Sequence, residues 1–215
     1  MQTRFRASLA PLLLLALLFG ACTQADQQQA PNGTTPAQTP TSATLAPEGT
    51  PGGDVDAGSC EGELAAESVD EVVVPDDASC RLTGTSVGGN VRLGSNSTLN
   101  AEEAQIGGDV QAQGANEVNL RGSSIGGNVQ LEQGGAAVLT ENEVGGDIQL
   151  ESNTGQLTID GNTVGGNVQA NQNSGGLNVT RNEVDGNLEC QGNEPPPVGG
   201  ENEVQGSKEE QCENL

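Results

Sequence analysis

The chain of 215 residues contains no His, no Trp and no Tyr, and only two Phe. Without His it lacks the commonest general base and the commonest neutral metal ligand, so ordinary Ser-His-Asp, Cys-His and zinc-enzyme sites are excluded. Nucleic acids are bound through basic patches and, when single-stranded, through stacked aromatic side chains. Seven basic residues stand against 30 acidic ones, a formal net charge of −23. The composition therefore indicates that nucleic acid is not a partner.

Glycine is abundant where aromatic residues are scarce. The chain has 32 Gly, about twice the usual share of ~7%. Apolar residues make up 33% of the chain, and with Gly included the share is about 48%, near the globular norm. The composition therefore indicates a folded protein with many tight turns rather than a disordered acidic chain.

A short apolar run lies close to the start of the chain. Arg4 and Arg6 precede Leu9 to Phe19, a run of 11 residues. A bilayer needs ~20 apolar residues, so the run is too short to span one and suits the apolar part of a signal peptide. The run ends in Leu18-Phe19-Gly20-Ala21-Cys22, which resembles the bacterial lipobox, although Phe19 stands where Leu, Val or Ile is usual.

The lipobox resemblance implies that residues 1–21 are removed as a lipoprotein signal peptide and that Cys22 is lipidated. Thr23, by the same resemblance, implies export to the outer membrane if the organism has one. Cleavage would remove two basic residues and no acidic ones, changing the net charge from −23 to −25, so the lipid rather than the protein surface would hold the chain to the membrane. The alternative is an ordinary secretory peptide with a free Cys22.

The mature chain is expected to begin with a tether. Residues 22–57 consist of the lipidated Cys and a segment rich in Thr, Pro, Gln, Ala and Gly. Such a segment has almost nothing to bury and is predicted to be disordered.

A five-residue motif recurs seven times, beginning at Val87 and ending with a degenerate copy at Val204, at steps of 19 or 20 residues. Apolar residues two apart flank each copy, which is the period of a strand. We expect each Gly-Gly to adopt positive φ at a corner and the following Asn or Asp to close the turn, with stacked Asn side chains forming a ladder. The turn residues are Gly88, Gly89, Asn90, Gly107, Gly108, Asp109, Gly126, Gly127, Asn128, Gly145, Gly146, Asp147, Gly165, Gly166, Asn167, Gly186 and Asn187.

The repeats predict an all-β fold. One repeat cannot bury its own apolar face, whereas stacked copies can. We therefore predict a single-stranded β-helix, or β-solenoid, of about seven coils of 19–20 residues, spaced by ~4.8 Å, over residues 72–194. Residues 58–71 are expected to be an N-terminal cap, with a short helix from Glu61 to Asp70. Residues 195–215 are expected to be a C-terminal capping coil, in which Pro197 and Lys208 replace core residues and protect the sheet edge.

Four cysteines remain after Cys22. Cys60 and Cys80 are 20 residues apart, and Cys190 and Cys212 are 22 apart, close to one coil in each case. Stacking on adjacent coils brings each pair within the ~4.4–6.8 Å Cα separation of a disulfide, whereas the cross pairings would join distant coils. The pattern predicts the disulfides Cys60–Cys80 and Cys190–Cys212. Four free thiols are the alternative.

Residues 70–215 resemble a group of uncharacterised secreted bacterial proteins with GGN repeats. The shared features are Val73-Val74-Pro75, the segment from Cys80 to Gly84, the V-G-G-N copies, Gly186 to Cys190 and the closing Cys212. The group implies no particular activity. More distantly, the turns resemble those of bactofilins, cytoplasmic solenoids that polymerise end to end. This chain departs from them in its export signal, terminal disulfides and polar end coils.

These features together predict a lipid-anchored protein of the bacterial cell envelope that presents a rigid acidic solenoid as a structural, spacer or surface-interaction element. We expect it to be a monomer with an unidentified extracellular or envelope partner. The sequence predicts no enzyme, no catalytic residue and no cofactor.

Two other functions are open. A divalent-cation module is one, because Ca²⁺ prefers clustered oxygens and two pairs of carboxylates lie one coil apart. The other is a polysaccharide-acting enzyme that uses Asp109 and Asp147, two coils or ~9.6 Å apart; their place among the turn residues favours a turn role instead. The candidate cation ligands are Glu132 with Glu151 and Glu183 with Glu203.

Overall fold

The computed structural model describes residues 58–215. The predicted signal peptide, Cys22 and the tether lie outside the described residues. Within residues 58–215 every regular element is a strand. The strands are short, two to five residues each, because the chain turns a corner after every few residues.

The strands follow one another in eight coils of three, with one further strand at the end. In chain order they are β1 (Gly58–Ser59), β2 (Gly62–Ala65) and β3 (Ser68–Val69); β4 (Val72–Val74), β5 (Ser79–Thr83) and β6 (Ser86–Val87); β7 (Val91–Leu93), β8 (Thr98–Glu102) and β9 (Gln105–Ile106); β10 (Val110–Gln113), β11 (Glu117–Arg121) and β12 (Ser124–Ile125); β13 (Val129–Glu132), β14 (Ala136–Thr140) and β15 (Glu143–Val144); β16 (Ile148–Glu151), β17 (Leu157–Asp160) and β18 (Thr163–Val164); β19 (Val168–Asn171), β20 (Leu177–Thr180) and β21 (Glu183–Val184); β22 (Leu188–Gln191), β23 (Val198–Gly200) and β24 (Glu203–Val204); and β25 (Lys208–Glu210).

Each strand pairs in parallel with the equivalent strand of the next coil, which produces three sheets. Sheet A contains β1, β4 and every third strand to β25; sheet B runs likewise from β2 to β23, and sheet C from β3 to β24. The sheets hold nine, eight and eight strands, and neighbours within a sheet are always one coil apart. The predicted β-solenoid is confirmed.

The core lies between the three sheets and is built from columns of apolar side chains. Strands alternate inward and outward side chains, so residues at every second position are buried. Leu82, Ala101, Leu120, Leu139 and Ile159 form one such column, and each of these residues is no more than 3% exposed. Val, Ile, Leu and Ala make up most of this interior.

The first coil differs from the sequence-based prediction. Residues 58–71 form β1, β2 and β3 rather than a helical cap, so the solenoid has eight coils where about seven were predicted. Leu64 packs against the core and Val69 is buried, because β2 and β3 pair with β5 and β6 in the same register that later coils use. Tertiary pairing decides the structure of this segment, which lacks a Gly-Gly motif to mark it as a repeat.

The C-terminal end keeps the register while its side chains change. Lys208 lies beside Leu188 at the inward position of sheet A, and its Nζ donates a hydrogen bond to the carbonyl of Leu215 at 2.6 Å. Pro197 is buried, and Cys212 is fully buried beneath the final turn. The expected replacement of core residues by Pro and Lys in the last coil is therefore observed.

Candidate functional surfaces

The seven predicted turns form one corner of the solenoid, here called the glycine corner, between sheets C and A. Asn90 Oδ1 accepts a hydrogen bond from the backbone N–H of Asp109 at 2.8 Å, and Asp109 Oδ1 accepts one from the N–H of Asn128 at 2.7 Å. The same bond continues through Asp147 and Asn167. The predicted ladder of turn side chains is confirmed. Within this ladder, Asp109 and Asp147 each accept a hydrogen bond from the backbone N–H of the next coil.

The Gly-Gly pairs do not adopt positive φ, so that expectation was wrong. They are glycines because the coils approach one another closely. A Cβ on Gly126 would lie 2.6 Å from the carbonyl oxygen of Gly107, and one on Gly146 would lie 3.0 Å from the carbonyl oxygen of Gly127. The first glycine of the pair is replaced by Asp185 and by Gln205 in the last two copies, whereas the second is Gly in every copy.

Positive φ occurs at the other two corners, here called the asparagine corners, and mostly at residues other than Gly. At the first of these corners, between sheets B and C, Glu141 and Arg181 have φ of 56° and 57°. At the second, between sheets A and B, Ser152 and Gln172 have φ of 56° and 57°. The residue that follows each of these points inward. In the later coils that inward residue is Asn, and its amide is buried.

The first asparagine corner contains a buried amide ladder of Asn142, Asn162, Asn182 and Asn202, at most 6% exposed. The backbone N–H and the Nδ2 of Asn142 both donate to Asn162 Oδ1 at 3.0 Å. Asn162 Nδ2 in turn donates to the carbonyl of Leu139 at 2.9 Å. Every polar group of the buried amide is thereby satisfied, as burial requires.

The second asparagine corner repeats this arrangement with Asn153, Asn173 and Asn193. Asn153 donates from its N–H and its Nδ2 to Asn173 Oδ1 at 2.9 and 3.1 Å. Gln211 completes the ladder above Asn193. The sequence analysis missed both buried ladders, although Asn recurs two residues before the leading Val of four successive copies and could have indicated the first.

Both predicted disulfides link adjacent coils. The Cα atoms of Cys60 and Cys80 are 5.4 Å apart, and those of Cys190 and Cys212 are 5.3 Å apart. The four cysteines are no more than 2% exposed. The first disulfide therefore links the first coil to the second, and the second disulfide links the eighth coil to the segment that closes the solenoid.

The candidate cation ligands are neighbours, as predicted. Glu132 lies beside Glu151 in sheet A, and Glu183 lies beside Glu203 in sheet C. No group of three or more His, Cys, Asp or Glu side chains able to hold a metal ion is found among residues 58–215. The structure thus brings the carboxylates together in pairs.

Among residues 58–215, two ion pairs join neighbouring coils on the surface. Arg92 pairs with Glu71, and Arg181 pairs with Asp160 at 2.6 Å. The hydrogen bonds that Arg181 donates to Asp160, together with the negative charge of that carboxylate, raise the pKa of Arg181. Both arginines are exposed, so water screens these pairs and each contributes little to stability.

Polar side chains cover the outer face of sheet A in two adjacent columns, here called the amide trough. Two shallow open depressions of about 270 and 240 Å³ lie along it, and Glu132 lines both. Gln111 Nε2 donates to Gln130 Oε1 at 3.3 Å, and Gln130 Nε2 donates to Gln149 Oε1 at 3.1 Å. The first column holds Arg92, Gln111, Gln130, Gln149 and Gln169, and the second holds Gln113, Glu132, Glu151 and Asn171.

Asn171 lies at one end of the amide trough. Its Oδ1 is buried and accepts no hydrogen bond from the described residues. A buried acceptor without a donor is uncommon in folded proteins and unfavourable. Asn171 Oδ1 is therefore a buried acceptor to which no group of the described residues donates.

No family model, curated protein or solved structure matches this chain. Residues 58–215 contain no helix that could cross a membrane. Cys22, the predicted lipidation site, lies outside the described residues.

Proposed function

We propose that this chain is a lipid-anchored protein of the bacterial cell envelope that presents a rigid acidic β-solenoid as a structural, spacer or surface-interaction element, without catalysing a reaction. The observation that carries the proposal is the continuous stack of eight coils, stapled by a disulfide at each end. Such a stack holds its outward side chains at fixed spacing.

Rigidity is supported by the way in which the coils are joined. Three parallel sheets, two buried Asn ladders and the glycine-corner ladder connect each later coil to the next. Buried amide ladders in which every group is satisfied specify one arrangement of their neighbours. A solenoid of this kind supports surface interaction because its faces keep their geometry.

Anchoring is supported by the sequence around Cys22 and by the disulfides. Disulfides persist in oxidising compartments outside the cytoplasm, which agrees with an export signal. A multiply acylated cysteine binds a membrane durably because each buried CH₂ contributes ~0.8 kcal/mol. The acidic surface repels anionic headgroups, so the lipid would be the membrane-binding element.

The anchor is tested by expressing the full chain in a bacterial host that acylates lipoproteins, with an alkynyl fatty acid in the medium. We expect the label and the protein to appear together in the membrane fraction. Cys22→Ala should abolish labelling and release the protein, whereas Thr23→Ala, next to it, should keep the label. Unchanged membrane association of Cys22→Ala would contradict lipid anchoring.

A divalent-cation module is the second candidate, favoured by the register of Glu132 with Glu151 and of Glu183 with Glu203. Carboxylate oxygens are the ligands that Ca²⁺ prefers, but it takes six to eight of them. Calorimetric titration of the full chain with CaCl₂ tests this function. Heat that disappears in Glu132→Gln/Glu151→Gln would support it, and no heat at millimolar Ca²⁺ would exclude it.

A further inference from the structure

We propose that the amide trough binds a linear, uncharged, β-linked glycan chain laid along the axis of the solenoid. This inference rests on the proposed function as a surface-interaction element, since it names the partner of that surface. Its centre is the run of four half-buried glutamines that lie side by side on successive coils, Gln111, Gln130, Gln149 and Gln169.

The hydrogen-bonding groups of the trough match those of a sugar. A Gln amide has two N–H donors and two acceptor lone pairs. The bonds from Gln111 to Gln130 and from Gln130 to Gln149 use one donor of the first residue and one lone pair of the second. Donors and acceptors therefore both remain for a ligand. A hydroxyl group donates and accepts, whereas an ion would use only half of these groups.

The ladder also fixes the orientation of the amides before a ligand arrives. A side chain that is already held in place loses less conformational entropy on binding. Asn171, at the end of the trough, adds a buried Oδ1 that lacks a donor within the described residues. Because that oxygen is buried, a ligand hydroxyl would donate to it only after the Asn171 side chain rotated towards the trough.

The charge of the face favours a neutral ligand. The four glutamines are uncharged, and Arg92 at the end of their column is paired with Glu71. Glu132 and Glu151 line the trough within its second column, and Glu189 follows Gln169 in the first. These carboxylates would repel an anionic polysaccharide. Sheet C, by contrast, presents Glu183 and Glu203 in its outward column.

The length and spacing of the trough suit an extended chain. The column from Arg92 to Gln169 crosses five coils, about 19 Å at ~4.8 Å per coil. A β-1,4-linked glycan is an extended ribbon in which each sugar ring is about as long as the ~4.8 Å spacing of the coils, so successive rings would meet successive glutamines. Because the chain has no Trp or Tyr, no stacking platform strengthens any one subsite. Affinity must come from many weak contacts made together.

The test uses the full chain, purified from whole cells in detergent micelles. Co-sedimentation with insoluble cellulose and chitin measures binding to two neutral β-linked glycans, and polygalacturonate serves as an anionic comparison. The trough variant is Gln130→Ala/Gln149→Ala. The matched control is Asn100→Ala/Asn119→Ala, which removes another hydrogen-bonded amide pair, on the outer face of sheet B. Thermal unfolding confirms that both variants are folded.

We expect the protein to bind cellulose, chitin or both, and the trough variant to bind about tenfold to a hundredfold more weakly, since each lost hydrogen bond lowers affinity about threefold to tenfold. The control should bind like the unmodified chain. Soluble oligosaccharides should bind more tightly as they lengthen up to the span of the trough. Absence of binding to both solids, equal loss in the control, or stronger binding to polygalacturonate would each overturn the inference.

This test is separate from that of the proposed function. Fatty-acid labelling at Cys22 does not depend on the trough. A labelled, membrane-bound chain that binds neither cellulose nor chitin would overturn the glycan inference alone. A chain that binds glycan but takes up no label would overturn lipid anchoring alone.

Discussion

The glycine corner and the asparagine corners solve the same problem in two ways. Each must connect coils where the sheets are interrupted, and each does so with a ladder of side-chain oxygens. At the glycine corner the N–H of the later coil donates to the earlier one, as from Asp109 to Asn90. At the asparagine corners the N–H of the earlier coil donates to the later one, as from Asn142 to Asn162.

The two kinds of corner also differ in burial. Asn162 is 1% exposed, whereas the ladder side chains of the glycine corner are half-buried or exposed. Water can replace a lost partner only at the glycine corner. The comparison shows that the same hydrogen-bond pattern contributes more to the free energy of unfolding where solvent does not reach it than where solvent does.

The largest effect is expected from Asn162→Ala. The substitution leaves the N–H of Asn142 and the carbonyl of Leu139 without their partners, and it opens a cavity. We expect the free energy of unfolding to fall by about 3–5 kcal/mol, measured by denaturant titration. A loss below about 1 kcal/mol would mean that water enters this corner, and the distinction between the corners would fail.

A smaller effect is expected from Gly146→Ala. The new Cβ would clash with Asn128 Oδ1 and would lie 3.0 Å from the carbonyl oxygen of Gly127, so it would displace the ladder. We expect a loss of about 2–3 kcal/mol, measured by the same titration. Gly88→Ala is the control, because a Cβ at that glycine would lie no closer than 3.8 Å to any neighbouring atom. The control should lose less, and an equal or larger loss would contradict the close-approach explanation of the second Gly.

Asn167→Ala removes a ladder amide at the glycine corner. Asn187 then loses the acceptor of its N–H at 2.9 Å, but Asn187 is exposed and water can take that place. We expect a loss of about 1 kcal/mol. Denaturant titration of Asn167→Ala and Asn162→Ala compares the energetic weight of a ladder amide at the two kinds of corner. Equal losses of stability in the two variants would contradict the proposed difference between the corners.

The smallest effect is expected from Asp147→Asn. Asp147 Oδ1 accepts from the N–H of Asn167 at 2.6 Å, and an Asn oxygen can accept the same bond, as Asn128 does below it. The change should alter stability by less than about 0.5 kcal/mol and leave any glycan-processing assay unaffected. A large loss would show that the carboxylate has a role that the ladder does not explain.

The sequence predicted the fold because its information is periodic. A step of 19–20 residues with apolar positions two apart determines sheets, register and the pairing of Cys60 with Cys80 and of Cys190 with Cys212, all of which are confirmed. The first coil was missed since Gly62 to Ala65 carries no motif and pairs only because β5 offers it an edge. The φ angles were wrong because glycine has two uses, conformational freedom and close approach, which the pattern alone does not separate.

The candidate surfaces were less predictable. Asn142 and Asn162 are polar, so their inward position emerges only from the structure, where the preceding positive-φ residue turns them into the core. The amide trough was not predicted, because its glutamines are far apart in the sequence and only the register of sheet A aligns them in a column. Lipidation of Cys22 and the absence of catalysis stay predictions.

The glycine-corner ladder has a consequence for how such a protein could change in evolution. Asn or Asp serves equally in each copy, so removal of residues 107–125 would place Gly126 after Ile106 and set Asn128 on Asn90. Duplication of one coil would likewise create no new kind of contact. Gene slippage in units of one repeat could therefore alter the height of the solenoid in steps of ~4.8 Å, while point mutations adjust its faces independently.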